Sequence, residues 1–193
     1  MKKRTAFVGA ILSLIPISQP LLFKTGVVLS SSALMLSFPE KVSARNFDYY
    51  FDRAYEKAEN GDYYGAISDY TKAIQINPKD SDSYHNRGSA KEKLEDYKGA
   101  LKDYEKALSI NPDDYLTWQG VGAAKSGMGD NYGAISAYNS SIELNPNNEN
   151  AYYNRGNSKL ELEDYNGAIA DFTKSIEINP FDSAYYNRGL AKS

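Results

Sequence analysis

Residues 84–112 read YHNRGSAKEKLEDYKGALKDYEKALSINP, which divides into two helices and a turn. The first helix places Tyr84, Gly88, Lys91 and Leu94 on one face. The second gathers Ala100, Leu101, Tyr104, Ala107 and Leu108, the i, i+4, i+7 spacing of an amphipathic helix. Gly88 and Ala100 are small, so the two backbones can approach closely. Asn111-Pro112 ends the second helix, because proline disfavours α geometry in the residue before it.

This unit recurs along the chain. Gly88, Gly122 and Gly156 are 34 residues apart, as are Ala66, Ala100, Ala134 and Ala168. Tyr70, Tyr104, Tyr138 and Phe172 keep the same step, and so do Pro78, Pro112, Pro146 and Pro180. Neither a heptad coiled coil nor an ordinary bundle would set a proline at that interval.

The pattern resembles the tetratricopeptide repeat (TPR). Trp118 stands at the family's Trp position, which Tyr84 and Tyr152 fill in neighbouring repeats. The resemblance implies an all-α, right-handed solenoid of helix-turn-helix units. Four full repeats fall at residues 47–80, 81–114, 115–148 and 149–182, followed by a partial repeat at 183–193. In such an array each helix pair buries its apolar face against its neighbours and no single compact core forms.

The composition fits this design. Seventeen tyrosines can fill inter-helix gaps with the ring while the hydroxyl reaches water. There are no cysteines and one histidine, His85, so no disulfide, thiol chemistry, metal site or cofactor is expected. The chain holds 22 Lys/Arg and 25 Asp/Glu; five of the former and one of the latter precede residue 45, leaving 17 against 24, or −7, for the array. An acidic array is a poor partner for a phosphate backbone, so nucleic acid is not an expected ligand.

Residues 1–44 are expected to lie outside the array. Lys2, Lys3 and Arg4 open the chain, and two apolar runs follow at 6–23 and 26–38. Val42-Ser43-Ala44 then forms a small-residue cleavage site of the A-x-A kind. The expected arrangement is a signal peptide cut near Ala44, with the array exported to a periplasm, lumen or extracellular space. The alternative is an N-terminal membrane anchor that holds the repeats outside the cytoplasm. Against it, Pro16 and Pro20 break the first run, which is short for a span of about 20 apolar residues.

Two constellations stand out within the repeats. Arg53, Arg87 and Arg155 each have an aspartate sixteen positions on, at Asp69, Asp103 and Asp171. Repeat three has Val121 and Ala137 instead, so both charges vanish together. That covariation predicts an ion pair between the two helices of one repeat. The second is the Asn86, Asn154 and Asn187 series, each preceding an arginine in Y-x-N-R-G. This position matches the asparagine ladder of the TPR superhelix in O-linked N-acetylglucosamine transferases, where amides grip the backbone of an extended peptide. A carboxamide offers an acceptor and two donor hydrogens, so it can pair with any peptide unit. The ladder is interrupted by Asp52 and Gly120. Ser89, Gln119, Tyr153 and Asn157 are the expected groove neighbours. The family's carboxylate clamp needs Lys and Asn where this chain has His85, Ser89, Gln119 and Ala123, so chaperone tails are not expected ligands.

No nucleotide-binding, metalloprotease or hydrolase motif is present. Asp62, Asp96, Asp130 and Asp164 share one turn position and read as helix caps. Gly120, Gly122, Gly127 and Gly129 make repeat three the expected soft repeat, with a loose turn at 126–131. The resemblance thus implies a non-catalytic scaffold that binds an extended protein segment on its concave face. The alternatives are a self-associating array, joined through the apolar end at Tyr185 and Tyr186, and an accessory region of a longer protein.

Overall fold

The computed structural model describes residues 37–193. Among them are nine helices: α1 (Ser37–Glu59), α2 (Tyr63–Ile76), α3 (Ser81–Lys93), α4 (Tyr97–Ile110), α5 (Tyr115–Gly127), α6 (Asn131–Leu144), α7 (Glu149–Glu161), α8 (Tyr165–Ile178) and α9 (Asp182–Leu190). Each helix packs on the next, and the odd-numbered helices also touch one another from repeat to repeat. The result is an all-α solenoid whose first helices, α1, α3, α5 and α7, line up side by side. The apolar runs before residue 37 lie outside the described residues. Among the described residues, no helix is long and apolar enough to cross a membrane.

Short-range chemistry sets the helix boundaries. Asp62, Asp96, Asp130 and Asp164 cap α2, α4, α6 and α8, each accepting the N–H of a glycine three residues on at 2.9–3.0 Å. A Cβ on Gly65, Gly99, Gly133 or Gly167 would lie 2.0–2.1 Å from that carboxylate, so the cap and the glycine come as a pair. Asp80, Asp114 and Asn148 cap α3, α5 and α7, accepting the N–H of Ser83, Leu116 and Ala151. The link before α9 is one residue shorter, which puts Phe181 at the cap position with no side-chain hydrogen bond.

The turn of repeat three has the same backbone geometry as the other three. Gly129 has φ +82° and Gly61 φ +80°, and the same left-handed position is held by Glu95 and Glu163 at φ 60°. One turn geometry is therefore used four times, twice with glycine and twice against the preference of a side chain.

The core is a chain of small clusters. Ala54, Ala66, Tyr70 and Ala90 form one, and Ala100, Tyr104, Val121, Ala124 and Ala137 the next. The second-helix aromatics Tyr70, Tyr104, Tyr138 and Phe172 are almost fully buried, each serving as the keystone of its repeat. At the far end Tyr185, Tyr186 and Leu190 are exposed on α9. A Cβ on Gly189 would meet nothing within 4 Å, whereas Gly88, Gly122 and Gly156 each face a second-helix ring.

Candidate peptide-binding groove

The three arginine–aspartate pairs predicted from spacing are all formed. Arg87 Nε and Nη2 donate to Asp103 at 2.8 and 2.6 Å, and Arg155 does the same to Asp171. Arg53 reaches Asp69 at 2.7 and 2.5 Å. A lysine four residues after each arginine (Lys57, Lys91 or Lys159) binds the same carboxylate at 2.7–2.9 Å. All three aspartates are buried. In repeat one, the Arg53 guanidinium holds the Asp69 carboxyl well below the usual carboxylate range, against the opposing effect of burial.

In Arg87 and Arg155 the third guanidinium nitrogen reaches back to the previous repeat. Arg87 Nη1 donates to Thr71 Oγ1 at 3.1 Å and Arg155 Nη1 to Asn139 Oδ1 at 2.6 Å. Arg87 and Arg155 thus each tie three helices together, whereas Arg53 Nη1 bonds Tyr49 on its own helix, and all three charges are consumed by the aspartates. Val121 and Ala137 fill the matching space in repeat three as buried apolar side chains.

The inner helices present a different set of residues. Three adjoining depressions form one trough across repeats one to four. The first, of about 270 Å³, is lined by Tyr55, Glu59, Asn86, Ser89 and Lys93. The second, of about 380 Å³, adds Asp82, His85, Asp114 and Leu116. The third, of about 210 Å³, holds His85, Ser89, Glu92, Tyr104, Gln119, Gly120 and Asn154. Four of the seven predicted groove residues, Asn86, Ser89, Gln119 and Asn154, therefore line one continuous surface.

The other three form a cluster at the far end. Asn187 Nδ2 donates to Tyr153 Oη at 3.1 Å and to Asn157 Oδ1 at 2.8 Å. Tyr153 also packs on Phe172 and Phe181. Gln119 Oε1 accepts from Asn148 Nδ2 at 2.8 Å, so part of its amide is spent on the α7 cap. Asn86 and Asn154, by contrast, have no side-chain hydrogen bond to the described residues and keep both amide functions available.

The gap in the ladder has a steric cause. A Cβ at Gly120 would lie 2.6 Å from Cζ of Tyr104, whose ring crosses beneath α5. Gly122 meets Tyr138 and Gly127 meets Tyr97 at 2.5 Å in the same way. Three of the four glycines named in repeat three, Gly120, Gly122 and Gly127, make room for rings.

Spacing analysis missed Glu92. The Tyr104 hydroxyl donates to Glu92 Oε2 at 2.8 Å. Burial pushes this carboxyl up, opposed by the tyrosine hydrogen bond and by nearby Lys93. The equivalent positions are Ser126 and Leu160, so no periodicity marks it. The only available signal was the i, i+4, i+7 run of His85, Ser89 and Glu92. Burial also lowers the His85 imidazole, despite Asp114 and Asp82 nearby. Its Nδ1 pairs with Thr117 Oγ1 at 2.7 Å, and Thr117 in turn donates to Asp114.

Known proteins place this geometry in context. No curated protein sequence matches the chain. Among solved structures, MamA superposes with a TM-score of 0.70 at 26% identity, over 77% of this chain and 81% of that one. YrrB, described as a TPR protein with an unusual peptide-binding site, gives 0.65 at 22% identity over 80% and 81%. The first TPR of Spaghetti (RPAP3), solved with the HSP90 peptide SRMEEVD, gives 0.60 at 24% identity over 61% and 94%. Profiles of the tetratricopeptide repeat match residues 81–114 and 149–182, and profiles of the TPR repeat match 54–95 and 122–162. Keystone ring, small-residue faces, 34-residue step and profile matches agree: the chain belongs to the tetratricopeptide repeat family.

Proposed function

We propose that the chain is a non-catalytic interaction module whose concave trough holds an extended protein segment. The observation that carries this is the pair of unspent amides, Asn86 and Asn154, set along a trough in which His85 and Gln119 are bonded to the next repeat. A preformed groove with free donors and acceptors suits a peptide backbone, whose N–H and C=O groups must be satisfied on binding. The peptide complex of the RPAP3 TPR and the peptide-binding site of YrrB, both on this fold, support the reading. Each amide-to-backbone hydrogen bond is worth about 1 kcal/mol. The Asn86→Ala/Asn154→Ala double variant should therefore bind peptides selected from an unbiased library at least about tenfold more weakly than the wild type. Equal affinity in a fluorescence anisotropy titration would defeat the reading.

The same proposal places the array outside the cytoplasm. It is supported by Lys2, Lys3 and Arg4, the apolar runs that follow, and Val42-Ser43-Ala44. The protein recovered from its host should give an intact mass beginning at Arg45. A mass retaining Met1, found in the membrane fraction, would favour the anchored alternative.

A further inference from the structure

The trough keeps its negative charges and loses its positive ones. Arg53, Arg87 and Arg155, with Lys57, Lys91 and Lys159, are all engaged by buried aspartates between helices. What lines the trough is Glu59, Asp82, Glu92 and Asp114 against the single Lys93. His85, its imidazole lowered by burial, stays neutral at pH 7.

Building on the peptide-groove reading, we propose that the bound segment is cationic and that one of its lysine or arginine side chains seats in the depression over Glu92. This depression is about 210 Å³ and opens beside Asn154, so a peptide held by the ladder passes directly over it. Tyr104 fixes one carboxylate oxygen, and among the described residues the other has no donor. Among the described residues no lysine or arginine forms a salt bridge with Glu92, in contrast to Asp103, which has two such partners.

A half-buried carboxylate with one neutral donor gains strongly from an incoming ammonium or guanidinium. The uncommitted oxygens around it, on Glu92 and Asn154, are acceptors, and both cationic head groups are donors only. An acidic side chain entering the same space would meet Glu92 with only Lys93 to offset it.

The test is an unbiased twelve-residue peptide library selected on the full 193-residue chain in mild detergent, and in parallel on Glu92→Gln. That variant keeps an acceptor for Tyr104, and circular dichroism checks its fold. Peptides selected on the wild type should share one lysine or arginine. Replacing that residue with norleucine should weaken wild-type binding about tenfold and Glu92→Gln binding less than twofold, while added salt narrows the difference. Binders without a basic residue would overturn the inference and leave the groove reading standing. A norleucine loss that persists in Glu92→Gln would overturn the assignment to Glu92. Failure to select any binder would overturn both readings.

Discussion

Replacing Arg87 with valine should destabilise the array by about 3 kcal/mol, and Asp103→Ala should cost about 2–3 kcal/mol, because the first leaves the buried carboxylate with Lys91 alone and the second leaves both cations unpaired. The Asp103 side chain is 4% exposed and that of Arg87 16%. Together the two changes should cost far less than their sum, with a coupling of at least about 1.5 kcal/mol. The reason is visible in the same molecule. Repeat three carries Val121 and Ala137 at these positions, packed and buried. Lys125 there is the counterpart of Lys91 and stands among the described residues without an acidic partner, half-buried and within reach of water. The double variant copies a solution that the array already contains. Urea denaturation followed by circular dichroism on all four proteins measures the cycle, and additive effects would show that the pairs do not act as units. Arg87 also bonds Thr71 of the previous repeat, so the single variant should loosen the junction between repeats one and two more than that between two and three.

The same comparison shows which parts of the structure the sequence encodes openly. A feature written three or four times is legible, because each copy tests the others. The caps at Asp62, Asp96, Asp130 and Asp164, the prolines, the keystone rings and the arginine–aspartate pairs all belong to this class. Two features written once escaped. Glu92 has no equivalent in the other repeats, and only the fold brings it against Tyr104, twelve residues on. Gly120 was visible, but as a gap in the asparagine series, because a sequence shows what is absent at a position and not what fills the space above it. The turn at Gly129 shows a third case. Composition suggested laxity there, yet the backbone repeats the left-handed geometry of Glu95 and Glu163. Glycine in that conformation removes strain, since a side chain there costs about 1 kcal/mol.

Gly120→Asn gives the sharpest contrast between the two levels of description. Read along the chain, it completes the ladder between Asn86 and Asn154 and replaces a poor helix former, which alone would favour the helix by a few tenths of a kcal/mol. In the structure the new Cβ would stand 2.6 Å from Cζ of Tyr104 and 2.8–2.9 Å from the adjoining ring carbons. Tyr104 cannot swing away. It is 2% exposed, its ring also lies 3.0 Å from the Cβ position of Gly88, and its hydroxyl is held by Glu92. Overpacking a site with no slack costs about 1–3 kcal/mol. The variant should therefore be less stable than the wild type by about 2 kcal/mol, with the loss centred on the contact between α4 and α5. Gly120→Ala should lose a similar amount, because the clash begins at Cβ. The ring is also the platform for the Glu92 carboxylate, so displacing it should weaken peptide binding even though an amide has been added to the groove. Urea denaturation and the anisotropy titration check the two halves of this expectation. A stabilised variant that binds more tightly would mean that Tyr104 yields readily and that the break in the ladder has no steric cause.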